Sequence, residues 1–68
     1  MYKLSIFDDG AKIATITLID DVSFLFARTP REWWEMKRLM DAAGSGAGLL
    51  ERIAALAHNY NYSTEITQ

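Results

Sequence analysis

An α+β fold is predicted: three antiparallel strands in a meander, with two helices packed on one face of the sheet. Three observations predict it. Up to Ala27 the apolar residues alternate, as on strands, and from Trp33 onward they recur every three or four positions, as on helices. Between the two regimes stands Thr29-Pro30-Arg31-Glu32, a helix-start signature. Thr29 offers a capping hydroxyl, Pro30 suits the first helical position, and Glu32 completes a capping box.

Taken in order, Tyr2 to Phe7 alternates and ends in Asp8-Asp9-Gly10-Ala11, a run of turn residues. Lys12 to Ile19 is rich in β-branched residues, Asp20-Asp21 punctuates it, and Val22 to Ala27 gives a third strand. Asp9-Gly10 alone favours a two-residue hairpin, which sets Ile6 opposite Ile13. A loop one residue longer sets Ile6 beside Ala14, Leu4 beside Ile16 and Tyr2 beside Leu18. A similar shift at the second turn sets Leu18, Ile16 and Ala14 against Val22, Phe24 and Phe26. This second register gathers one apolar face, and burying each large side chain is worth roughly 1.5–3 kcal/mol, so burial decides for it. The other face then carries Lys3, Ser5, Phe7, Ile13, Thr15, Thr17, Ile19, Ser23 and Leu25. It is too apolar merely to meet water. Either the C-terminal tail covers part of it, or it is the scattered apolar surface that any protein shows, or it binds a partner or a second copy.

The first helix runs from Pro30 to about Ala43, with Trp33, Met36, Leu39, Met40 and Ala43 on one apolar arc. Trp34 falls opposite, among Arg31, Lys37, Arg38 and Asp41. A tryptophan there is either a binding anchor, or packs on the C-terminal tyrosines or takes a cation–π contact from Arg38. Gly44-Ser45-Gly46-Ala47-Gly48 links to a second helix, for whose start Ser45 and Ala47 are candidates. The link is no phosphate loop, because Leu49-Leu50 stands where Lys-Ser/Thr is required. The second helix, Leu49 to about Asn59, shows Leu49, Ile53, Leu56, Ala57 and Tyr60 at core spacing, with Ala54 and Ala55 allowing close approach. Asn59-Tyr60-Asn61-Tyr62 breaks this helix, and Ser63 to Ile66 reads as a short edge strand or an ordered tail.

Composition bounds the function. The 68 residues form one domain with no cysteine, so neither disulfides nor thiolate ligands assist it. Nine acids against seven bases give a net charge of −2, and no basic run offers phosphates a stripe. Direct nucleic-acid binding is therefore disfavoured. No apolar run approaches the roughly 20 residues that cross a bilayer. No signal-peptide pattern opens the chain, and a cytoplasmic location is expected. Asp8-Asp9 and Asp20-Asp21 sit at consecutive meander turns, hence at opposite ends of the sheet, so no metal site is expected from them. His58, the sole histidine, would need a hydroxyl such as Ser63 and a carboxylate to serve a catalytic set, and is better explained as a helix-end residue. No enzyme and no cofactor are expected.

From Thr29 onward the chain resembles the second half of a small type I-F anti-CRISPR protein of phages. The residues that carry the likeness are Thr29, Glu32, Trp33-Trp34, Gly44-Ser45-Gly46, Gly48 and Ile53, and they span about half the chain. The resemblance implies a non-enzymatic αβ inhibitor that binds a CRISPR surveillance complex in the host bacterial cytoplasm and blocks target DNA. The residues expected to meet the partner are Phe7, Ile13, Thr15, Thr17 and Leu25 on the sheet and Trp34 and Arg38 on the helix. Asp8, Asp9, Asp20 and Asp21 are expected to pair with a basic channel. The alternative is a self-associating structural or adaptor module that buries the same sheet face in a homodimer.

Overall fold

Two tight turns shape the sheet. Asp9-Gly10 (φ 52° and 83°) and Asp20-Asp21 (φ 49° and 66°) hold positive φ at two consecutive residues. Such two-residue loops match the right-handed twist of the strands they join. In the computed structural model, which describes residues 1–68, they connect β1 (Tyr2–Asp8), β2 (Ala11–Ile19) and β3 (Val22–Ala27). Helices α1 (Pro30–Ala43) and α2 (Leu49–Asn59) follow, and β4 (Ser63–Thr67) returns to pair with β1. The sheet has four antiparallel strands in the order β3-β2-β1-β4. The α+β class and the meander are as expected, and the C-terminal segment is a strand.

The first hairpin satisfies turn and burial together. Tyr2 pairs with Leu18, Leu4 with Ile16 and Ile6 with Ala14, the register that buries the apolar face. Yet the loop keeps only two residues. The difference is absorbed by a bulge: Ile6 opposes Ala14 while Phe7 opposes Lys12, leaving Ile13 as the extra residue. Ile13 was expected on the open face and instead lies in the core, 1% exposed. A bulge re-aims a side chain, and this one turns an isoleucine inward.

At the second hairpin the expected shift does not occur. Ile19 pairs with Val22, Thr17 with Phe24, Ile16 with Leu25 and Thr15 with Phe26. Every side chain of β3 is therefore on the opposite face from the one burial suggested. Leu25, expected outside, lies against the helix side with Ser23, and Val22, Phe24 and Phe26 point away. The reason is the turn: Asp20 and Asp21, both at positive φ, close a two-residue loop and no bulge follows it, so Ile19 pairs with Val22 and the rest of β3 follows in step. On the helix side, Ser23 and Leu25 line an open groove with Trp33, Met40 and Leu49.

Helix α1 starts as its sequence dictates. Thr29 Oγ1 accepts from the Glu32 backbone N–H at 3.2 Å and donates to the Glu32 carboxylate at 3.0 Å. Arg28 Nε donates to that same carboxylate at 2.9 Å. Met36 and Leu39 are buried, with Trp33, Met40 and Ala43 half-buried around them. Helix α2 buries Leu50, Ile53, Ala54 and Ala57. Tyr60, expected at core spacing, is exposed, because it lies one residue beyond the helix, where the wheel no longer applies.

The linker is organised by one side chain. Arg52 reaches back from α2 and donates to the carbonyls of Ala43 (2.9 Å), Ser45 (2.7 Å) and Ala47 (2.5 Å). Neither Ser45 nor Ala47 starts α2. Gly48 does, at φ 78°, where a side chain would be strained and a Cβ would sit 3.3 Å from Arg52 Nη1. At the far end of α2, the Tyr62 N–H donates to Ala57 O and the Asn61 N–H to His58 O, with Asn61 at φ 66°. This is a Schellman ending with asparagine in the left-handed position usually held by glycine.

Candidate functional site

Residues directly opposed across a ladder share a face, so the pairings define the side of the sheet that no helix covers. Val22, Phe24 and Phe26 of β3 lie beside Ile19, Thr17 and Thr15 of β2. Thr17 and Thr15 lie beside Lys3 and Ser5 of β1, and these beside Thr67 and Glu65 of β4. Phe7 is flanked by Lys12 and Ser63. The face is therefore graded rather than uniformly apolar. Its β3 side is aromatic and aliphatic, its centre is a floor of small hydroxyl residues, and its β4 side is polar.

The exposures are unequal in an informative way. Phe26 is 72% exposed, Phe24 54% and Val22 53%. The core is complete without them: Leu4, Ile6, Ile13, Ala14 and Ile16 of the sheet close against Met36, Leu39, Leu50, Ile53, Ala54 and Ala57 of the helices. No fold requirement accounts for two phenylalanines in water on an edge strand.

Of the sequence-predicted sheet residues, Phe7, Thr15 and Thr17 are brought together on this face, and Ile13 and Leu25 are not. Phe24, Phe26 and Val22 were missed. The signal that could have found them was Asp20-Asp21, whose two residues suffice for a tight loop and fix β3 in the register observed. Asp8 and Asp9 lie at one end of β2 and Asp20 and Asp21 at the other, all exposed. They do not converge, and Asp20 and Asp21 directly precede the aromatic strand β3.

Trp34 and Arg38 are on α1, across the sheet from that face. Trp34 is 62% exposed, and its aromatic partner is neither C-terminal tyrosine but Trp33, edge-on at 5.0 Å. The other charges of α1 are tied by Arg31–Glu35 and Lys37–Asp41 ion pairs within the helix and by a pair from Glu32 to Arg28 just before it, whereas Arg38 has none. Beside it, Glu35, Arg38, Leu39, Tyr60 and Tyr62 line a shallow depression. There the Tyr62 hydroxyl donates to Glu35 Oε2 at 3.0 Å. Burial, then the hydrogen bond to Glu35, push the Tyr62 phenol above its usual value. Arg28, by its hydrogen bond, holds the Glu32 carboxyl below the usual range. His58 Nε2 lies 2.9 Å from Thr64 Oγ1 and so ties the end of α2 to β4.

The elements together define an α+β module in which two helices cover one side of a four-stranded sheet and the other side stays open. Comparison with protein-family models, curated proteins and solved structures finds no match to this chain.

Proposed function

We propose that this protein is a non-enzymatic inhibitor that binds another protein through its open sheet face and sterically covers a site the target needs. The observation that carries the reading is the pair Phe24 and Phe26, exposed beside Thr15 and Thr17 while the core closes without them. Aromatic side chains supply much of the energy at protein interfaces, and a hydroxyl floor beside them lets a partner's backbone approach. Asp20 and Asp21 border the patch and favour a basic target, through encounter rate more than affinity. The resemblance from Thr29 onward gives the target class: a type I-F CRISPR surveillance complex whose nucleic-acid channel is basic. The inhibitor is then a phage product acting in the bacterial cytoplasm.

The test is binding to purified surveillance complex, with target-DNA capture measured in parallel. The intact protein is expected to bind and to prevent DNA capture. The Phe24→Asp/Phe26→Asp variant should keep its far-UV circular dichroism and lose about 700-fold or more in affinity, since two such anchors are worth about 2 kcal/mol or more each and every 1.4 kcal/mol is tenfold. Undiminished binding by that variant, or recovery of nucleic acid alone from a lysate, would overturn the proposal.

A further inference from the structure

Strand β3 is the outermost strand of the sheet, and it lacks three of the devices that keep a sheet edge from pairing. Its six residues, Val22-Ser23-Phe24-Leu25-Phe26-Ala27, contain no charge, no proline and no bulge. The opposite edge, β4, has five residues and carries Glu65. The outward backbone groups of β3 can be assigned. The Arg28 N–H donates to Ile13 O on β2 at 3.0 Å, and direction alternates along an antiparallel ladder. Val22, Phe24 and Phe26 therefore turn their N–H and C=O groups toward β2, and Ser23, Leu25 and Ala27 turn theirs outward, where no strand takes them.

We infer that this edge pairs with the same edge of a second copy, antiparallel about a two-fold axis at Phe24. Charge selects a second copy over an unrelated strand. The strand is bracketed by Asp20 and Asp21 at its start and Arg28 just past its end. With Phe24 opposite its own symmetry mate, Val22 falls opposite Phe26 of the other copy, and the Asp20 carboxylate, on the turn that precedes β3, comes to the end of the strand where the other copy's Arg28 lies. The symmetry makes each of these pairs twice. Arg28 spends only its Nε on Glu32, and its side chain remains half exposed, so its two terminal nitrogens are free to take that carboxylate. Ser23 and Leu25 of the two copies then exchange the unused backbone hydrogen bonds.

The area sets the strength. An aromatic residue presents about 150–250 Å², so the exposed parts of Phe24 and Phe26 come to roughly 250 Å² per copy. With Val22 and the strand backbone, the interface falls at the low end of specific interfaces, below about 1,200 Å² in total, where weak and reversible association is the rule. Two four-stranded sheets would join into one of eight, and Thr15 and Thr17 would stay open on the merged face. The inference concerns the edge and does not depend on the proposed target of the face.

The experiment is sedimentation velocity on the intact chain from roughly 1 to 500 μM, the range in which an interface of this size associates. A reversible dimer is expected, with a Kd of tens of micromolar that rises with salt. Asp20→Asn, which keeps a residue tolerant of positive φ, should weaken it several-fold. Ser23→Pro should abolish it, because proline removes an outward N–H and leaves the ladder to β2 intact. Amide hydrogen exchange of the unaltered protein gives a reading independent of any variant. Exchange at Ser23 and Leu25 should slow as concentration rises. A monomer throughout, a dimer indifferent to Ser23→Pro, or exchange at these amides that ignores concentration would overturn the inference. Binding to the surveillance complex, measured at concentrations where the chain is monomeric, would stand or fall separately.

Discussion

Replacing Arg52 by methionine isolates what holds the linker. The methionine keeps an unbranched stem and similar helix propensity, so only the guanidinium is lost. With it go three hydrogen bonds, to the carbonyls of Ala43, Ser45 and Ala47, of which the first is partly buried and the other two are exposed. Charge-assisted bonds contribute about 1.5–3 kcal/mol when shielded, and water replaces most of that at exposed sites. Taking about 1.5 kcal/mol for the bond to Ala43 and about 0.5 for each of the others gives a loss of roughly 2–3 kcal/mol. A domain of this size has on the order of 3–5 kcal/mol to lose. Melting should fall by about 10–20 °C, at 4–8 °C per kcal/mol for 60–100 residues. The assay is urea and thermal unfolding followed by far-UV circular dichroism, with Arg38→Met as control, since Arg38 has no ion pair. If the two variants melt within a degree or two of each other, the guanidinium is not what orders residues 44–48.

Three further outcomes are expected. Leu25→Asp should prevent folding by placing a carboxylate against the helices, while Phe24→Asp should fold with a stability change below about 0.5 kcal/mol, as for most surface substitutions. The reverse pattern in a denaturant titration would mean that β3 sits in the other register. Because the folded-state phenol of Tyr62 titrates above its unfolded value, its contribution is complete below about pH 10 and is lost as pH rises through the folded value. Stability measured from pH 9 to 12 should fall less steeply in Tyr62→Phe than in the unaltered protein. Asn61→Gly should raise stability by a few tenths of a kcal/mol, and Asn61→Val should lower it by about 1–2, because only the first accepts φ 66° without strain; equal midpoints for the two would contradict the left-handed ending of α2.

Much of this protein is determined by local chemistry and is legible from residue order alone. The two hydrophobic periods, the Thr29-Pro30-Glu32 start of α1, the glycine-rich break and the asparagine after α2 each act over a few residues, so they need no knowledge of the fold. The class, the elements and the helix bounds follow from them. Which face each strand presents is different, because it depends on a single residue of register. In the first hairpin a bulge at Ile13 reconciled the tight turn with the apolar pairing, and in the second no bulge intervenes, so the two-residue turn alone sets the pairing. Whether a bulge forms depends on packing shared among residues far apart in the chain. Only the tertiary structure could therefore decide that the first hairpin carries one and the second does not, which puts Ile13 in the core, sets Leu25 against it and leaves Phe24 and Phe26 facing outward.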